Sequence, residues 1–383
     1  MKKLIKITII GGYGGNNFGD DAQLFNNIRL LKENGYNDIT VMSPKKYIKN
    51  LCDVKVIDSF WDLFPSNKKK DISYLLNIAF RLYKSVLNKD YYHPLIKHLS
   101  ETDILFVSGC GMINTRHMQG LLVILIPILL AQEMGKRVIL SGQGITPCDN
   151  HFLTPLITVA LNRCEKIVLR DFALGAGLLR NINVMPSKIV IGCDDAFTTP
   201  PKQGSLPDIP QNVVAINISH YITDNFKVVL QRFCKQIKKE GYVPILNYFQ
   251  TDMNEEQIAK DISQNEIPIY KINHPEEGAY FYEKVVASIG MRYHSFIFSI
   301  AGLSPVINIY ANEYQRLKIE AIQKQYNFPY CMLDIKNADF DTLYKQFNLA
   351  LKEQPEKLNR IHKIWSDLSN LGVKLLMEKK NDK

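Results

Sequence analysis

The chain has no pair of cysteines at CxxC spacing. Its seven (Cys52, Cys110, Cys148, Cys164, Cys193, Cys234 and Cys331) are scattered and odd in number. Such usage argues against a disulfide framework and against a zinc site, and for reduced thiols in a cytoplasmic protein. No apolar run is long enough to cross a bilayer. The longest uncharged one, Leu121 to Ala131, is well short of the ~20 residues required and reads as a buried helix. The first residues, MKKLIKITIIGG, start charged, but their apolar stretch is broken by Lys6 and stops at Gly11-Gly12. They read as a first strand and not as a signal peptide. Zinc-finger spacing, an RNP-like aromatic motif and a long basic tract are all missing, which argues against nucleic acid as a partner. Acidic residues are in the minority, 38 against 47 Lys and Arg, for a net charge of +9. That balance favours acidic small molecules or an anionic lipid surface. At 383 residues, 46% apolar and 22% charged, the composition is that of a globular protein large enough for two domains.

What is there is a β/α rhythm. Lys6 to Ile10, Asp38 to Met42, Asp53 to Asp58, Asp103 to Val107, Arg137 to Leu140, Lys166 to Leu169 and Lys188 to Ile191 read as apolar strands. Runs that are apolar throughout imply a parallel sheet covered on both faces. Thr198 to Gln211, TTPPKQGSLPDIPQ, is the best linker. The rhythm then restarts with strands at Asn212 to Ile218, Val243 to Tyr248 and Ile267 to Ile272. Helices at Asp339 to Lys352 and Glu356 to Lys379 close the chain. The expected division is a first Rossmann-like domain over 1–200, a linker over 201–211, a second Rossmann-like domain over 212–345 and C-terminal helices over 346–383. Two such halves imply an α/β fold with a ligand cleft between them. Residues 60–100 differ in character. Lys68-Lys69-Lys70 precede an amphipathic run, Ile72 to Leu87, with Lys89, His93, Lys97 and His98 after it. The segment reads either as an insertion packed on its own domain or as a basic flap making peripheral contact with anionic lipid.

The most informative stretch is Val285 to Tyr310, VVASIGMRYHSFIFSIAGLSPVINIY. An apolar run ends at Gly290, and a helix-like segment from Phe296 to Ala301 is closed by Gly302 and Pro305. Arg292 and His294 therefore fall at a strand-to-helix junction, where open α/β folds bind ligands and helix N–H groups favour anions. A fixed cation and an imidazole two residues apart suit an anionic substrate that needs a proton moved. The competing reading pairs Arg292 with a carboxylate and makes His294 an ordinary helix-start residue. At the other end, Gly12-x-Gly14 follows a strand, but Asn17 replaces the third glycine of a dinucleotide fingerprint and no acid ends strand two. A P-loop fails as well, because Asp20-Asp21 stand where Lys-Ser/Thr is required. Asn17, Gly19, Asp20 and Asp21 at a helix start suit either capping or work on sugar hydroxyls, with a carboxylate as general base. Gly109-x-Gly111 and Gly142-x-Gly144 permit close backbone approach. Arg170-Asp171 reads as an ion pair or a catalytic pair, and Asp194-Asp195 as a hydroxyl-binding pair. The other histidines (His93, His98, His117, His151, His220, His274 and His362) lack metal-ligand spacing and receive no role, and no metal or cofactor is expected.

Taken in order, these loops resemble the polysaccharide pyruvyl transferase family. The carriers are Asn17-Phe18-Gly19-Asp20-Asp21-Ala22, Ser108-Gly109-Cys110-Gly111, Gly142-Gln143-Gly144-Ile145-Thr146-Pro147, Arg170-Asp171 with Leu178, Asp194-Asp195-Ala196-Phe197, and Gly290-Met291-Arg292-Tyr293-His294 with Gly302, Pro305 and Ile309-Tyr310. The resemblance implies a glycosyltransferase-B-like pair of Rossmann-like domains, with the acceptor on the N-terminal side and the donor on the C-terminal side. It implies phosphoenolpyruvate as donor substrate and a saccharide acceptor, free or lipid-linked, modified in the cytoplasm or at the inner face of the membrane. Arg292, His294 and Asp20 are then the catalytic candidates. Asn17, Gly19, Asp21, Gly109, Gly111, Gln143, Gly144, Arg170, Asp194 and Tyr310 are the candidates for substrate binding. This chain departs from the pattern at Met112, at Asp21 where a longer Glu is usual, and after Tyr310, where only Arg316 and Lys318 offer a cation. A glycosyltransferase or sugar-nucleotide epimerase on the same architecture, and a non-catalytic glycan-binding relative, are the alternatives.

Overall fold

In a computed structural model, residues 4–14, 17–43, 53–63, 71–249, 254–329 and 331–378 are described. Lys68-Lys69-Lys70 and Cys52 lie outside them. The chain separates into two compact units. One comprises Met1–Gly15, Gln23–Asp195 and Asn370–Lys383; the other comprises Asn16–Ala22 and Ala196–Ser369.

The first unit holds a seven-stranded parallel sheet: β1 Lys6–Ile10, β2 Asp38–Met42, β3 Lys55–Ile57, β4 Ile104–Val107, β5 Arg137–Gln143, β6 Lys166–Leu169 and β7 Ile189–Ile191, in the order β3-β2-β1-β4-β5-β6-β7. Its strands are apolar on successive residues because both faces are covered. Ile7, Ile9, Ile39 and Val41 pack on one side with Leu24, Ile28 and Leu31. Ile10, Leu105, Val107 and Leu140 pack on the other with the helix Met118–Glu133. The last helix, Leu371–Glu378, contributes Val373 and Leu376 to the first of these layers. Gly372 is required there, since any side chain would overlap Ser141 Oγ.

Helix Ile72–Leu87 starts where the Asp71 carboxylate accepts a bond from Tyr74 N, and it buries Leu75, Leu82 and Val86. Leu76 and Leu87 are exposed.

The second unit holds a six-stranded parallel sheet: β8 Val213–Asn217, β9 Val243–Tyr248, β10 Ile269–Lys271, β11 Val285–Gly290, β12 Val306–Tyr310 and β13 Met332–Asp334, in the order β10-β9-β8-β11-β12-β13. In both sheets the winding reverses beside the first strand, between β1 and β4 and between β8 and β11. This is the strand order of nucleotide-binding α/β folds, which bind ligands outside the carboxyl ends at that reversal. The proline-rich stretch after Thr198 is fastened to this unit: Ser205 N and Oγ both donate to Glu277 Oε1 at 2.7 Å, and Leu206 is buried.

One expectation is corrected. The C-terminal region is not broken at Pro355. A single helix of 29 residues, Phe340–Leu368, runs through the proline, and Leu371–Glu378 follows it. A proline inside a helix costs about 3 kcal/mol. Burial on both sides of it offsets that, through Leu343, Phe347 and Ala350 before and Leu358, Ile361 and Trp365 after. Gln354 clamps the helix next to the proline, accepting from Val306 N at 2.7 Å and donating to Val306 O at 2.9 Å.

Candidate active site

Strand β11 delivers the chain to the winding reversal of the second unit. Gly290 ends it because a side chain there would strike Ser295 Oγ. Arg292 then caps the helix Tyr293–Ala301. Its Nε donates to Glu255 Oε1 at 3.0 Å, Nη2 donates to the same oxygen, and Nη2 lies 3.1 Å from His220 Nδ1. Glu255, the first residue of helix Glu255–Ser263, is fully buried, whereas the Arg292 side chain is 23% exposed. The carboxylate thus aims one edge of the guanidinium while part of the group still reaches solvent. The pairing of Arg292 with a carboxylate is present, and it fixes one edge of the guanidinium. Neither Glu255 nor His220 stood out in the sequence. The available signal for His220 was its position just past β8, at the same reversal.

His294, in the first turn of that helix, is buried against the backbone of Gly19. The loop bearing Gly19 clusters with this second unit, anchored by Phe18. The Phe18 ring stacks on Phe249 at 4.4 Å and 9°, and lies 5.8 Å from Phe298. Asn17 Nδ2 donates to Asp20 Oδ2 at 2.7 Å, and Gly19 N donates to Asn17 Oδ1 at 3.3 Å. Asp21 N makes the first helical bond, to Asn17 O at 3.0 Å. The structure therefore brings Gly19, which is hydrogen-bonded to Asn17, against His294, 275 residues away. A methyl at Gly19 would overlap the His294 ring. Gly19→Ala is accordingly expected to displace the imidazole, read as a shift of the His294 ring resonances, with the far-ultraviolet circular dichroism unchanged.

Of the two cations after Tyr310, Arg316 is held by Glu313 and Glu320. Lys318 instead places its ammonium 3.8 Å from the ring centroid of Tyr314 and 5.8 Å from that of Tyr293, the neighbour of His294. Tyr310 ends β12 beside Asp334 of β13. Burial, then the Asp334 charge, raises its phenol above the usual range.

The first unit gathers the remaining candidates at the carboxyl ends of β4 to β7. Gln143 Nε2 donates to the carbonyls of Ser141, Val107 and Ser108 at 2.8, 3.1 and 3.3 Å. A side chain at Gly109 would meet Gln23 Nε2 at 2.5 Å, and Gly111 O accepts from Asn114 Nδ2 at 2.8 Å. Gly144 N donates to Cys110 O at 2.9 Å, and the Arg170 guanidinium lies against Gly144, 2.9 Å from where a side chain would start. Arg170 and Asp194 are both buried and joined at 2.8 Å.

Asp195 is the residue this unit is tied around. Its carboxylate accepts from Asn27 Nδ2 at 2.8 Å and Ser141 Oγ at 2.9 Å, and Asn26 Nδ2 donates to its carbonyl at 2.6 Å. It fills the space beside Gly142, whose φ of +58° suits glycine. Burial pushes its carboxyl up to about 7. The Asp194 charge adds to this, and bonds from Asn27, Ser141 and the Gly109 backbone oppose it. A carboxyl with a raised folded pKa stabilises the fold at low pH, and that contribution is lost as pH rises through the folded value. Between about pH 4 and 7, wild type should lose stability with rising pH relative to Asp195→Asn. Denaturant unfolding of both proteins across that range measures the difference, and parallel curves would refute the assignment.

A sequence profile described as polysaccharide pyruvyl transferase matches residues 17–312, from the loop under His294 to the residue that caps the helix after Tyr310. The chain belongs to the polysaccharide pyruvyl transferase family. No curated protein sequence matches it. Solved structures share its fold at low identity. The UDP-GlcNAc 2-epimerase of Neisseria meningitidis, bound to UDP-GlcNAc, is 12% identical with a TM-score of 0.64, covering 98% of this chain and 99% of its own. A glycosyltransferase of Rickettsia africae is 15% identical with a TM-score of 0.58, covering 100% and 99%. The glycotransferase of kitacinnamycin is 10% identical with a TM-score of 0.61, covering 98% of each. This pyruvyl transferase family member therefore has the two-Rossmann architecture of glycosyltransferase-B enzymes and epimerases.

Proposed function

We propose that the chain transfers the carboxyvinyl group of phosphoenolpyruvate to two hydroxyls of one sugar, forming a pyruvate ketal and releasing phosphate. The observation that carries this reading is the joining of Arg292, aimed by Glu255, with His294, seated on Gly19, at one winding reversal. The Arg292 fork suits the donor's carboxylate or phosphate, and Lys318 supplies a second positive charge nearby. His294 protonates the methylene carbon, which becomes the ketal methyl, and leaves an oxocarbenium-like carbon. The first hydroxyl adds there, phosphate departs, and the second hydroxyl closes the ring. Of the two hydroxyl protons, one restores the acid and the other leaves with phosphate. Asp20, whose carboxylate accepts from Asn17, is assigned the role of taking a hydroxyl proton. The acceptor is a sugar of a surface polysaccharide, free or lipid-linked, modified in the cytoplasm.

The test is phosphate release from phosphoenolpyruvate with a panel of hexose and N-acetylhexosamine acceptors, including lipid-linked ones. Acceptor-dependent release supports the reading. Saturable UDP binding with no response to phosphoenolpyruvate would replace it with a sugar-nucleotide enzyme. Saccharide binding without turnover of any donor would point to a binding protein.

A further inference from the structure

Helix Ile72–Leu87 carries two apolar faces, and only one is used by the core. Leu75, Leu82 and Val86 are buried. On another side Leu76 is 42% exposed, Phe80 58% and Leu87 55%. At 3.6 residues per turn these three fall within about 40° of one another, as one continuous stripe. Exposed Arg81 and Lys84 flank the stripe on the side away from the core, and Lys84 Nζ lies 4.9 Å from the Phe80 ring centroid. Between Asp71 and Asp90 the sequence has no acidic residue at all, against Arg81, Lys84 and Lys89. Tyr92, 94% exposed, follows directly. A single exposed leucine needs no explanation; an apolar stripe edged by cations does.

We propose that this helix face docks on the surface of an anionic lipid bilayer. The pattern has the parts such a contact needs. Leucine and phenylalanine reach below the headgroups, while arginine and lysine extend beside them to lipid phosphates. The opposite side is held in the core of the first unit, so the helix lies on the membrane and does not cross it. Among the described residues no helix is long and apolar enough to span. A second copy of the same face is disfavoured, because it would set cation against cation. The inference does not rest on the reaction proposed above, because vesicle binding is read without turnover.

The experiment is flotation of the full chain with vesicles of phosphatidylcholine, with and without phosphatidylglycerol, at low and high salt. Binding is expected only with phosphatidylglycerol and should weaken with salt. Arg81→Gln with Lys84→Gln should reduce partition roughly thirtyfold, from about 1 kcal/mol per cation at an anionic surface. Phe80→Glu should reduce it at least as far, and both variants should melt like wild type. Failure of wild type to bind anionic vesicles would overturn the proposal, as would variants that bind as wild type does. A wild-type dimer that Phe80→Glu dissociates, with no vesicle binding, would assign the face to a second copy instead.

Discussion

His294→Ala is expected to lower acceptor-dependent phosphate release by a factor of about 10²–10⁴, the range typical for loss of a positioned acid. His294 lies in the first turn of a helix that starts three residues after the end of β11, and its ring rests on a glycine that leaves no room for a side chain. Such fixation is what proton transfer to a carbon requires, because a misplaced acid loses most of its effect. The ring's removal opens space beside Gly19, and thermal melting of the variant, measured alongside, separates loss of chemistry from loss of fold. Single-turnover measurements with bound donor would separate the chemical step from binding. Retained turnover would remove His294 from the mechanism.

Asp194→Ala is expected to destabilise the first unit by about 3–5 kcal/mol, because it strips a buried guanidinium of the carboxylate paired with it. The Arg170 side chain is 2% exposed and that of Asp194 is 0% exposed, so solvent cannot replace the lost partner. Replacing both together, Arg170→Met with Asp194→Leu, should recover part of the loss, since neither charge of the pair is then left without the other. Urea unfolding of the three proteins, followed by circular dichroism, provides the comparison. A single variant within 1 kcal/mol of wild type would show that the pair is not the brace it resembles.

The sequence carried local matters well and pairings poorly. Arg292 and His294 were legible because a strand ending in glycine and a helix closed by Gly302 and Pro305 bracket them within one short stretch. The two parallel sheets were legible because strands covered on both faces are apolar at every position. Glu255 was not, because it meets Arg292 across 37 residues, and a glutamate at a helix start looks like any other. Asp195 meets Asn27 across 168 residues, and the adjacent Asp194 offered an equally plausible partner for whatever lay nearby. The loop Asn17–Asp20 read as the start of the helix that follows the first strand. What draws it to the second unit is Phe18, whose stacking partner Phe249 lies in a distant loop. Pro355 misled for the opposite reason. A local rule gave a helix break, and burial along both flanks together with the Gln354 clamp outweighed it.

The last helix has a consequence for how the protein is made. Val373 and Leu376 complete an apolar layer whose other members, such as Ile7 and Leu24, leave the ribosome first. The first unit therefore cannot close that layer until some 350 further residues have been synthesised, and by then the second unit has had time to form alone. A fragment ending near residue 200 should expose the uncovered layer and bind hydrophobic dyes or chaperones. Adding the C-terminal helix as a separate peptide should reverse this.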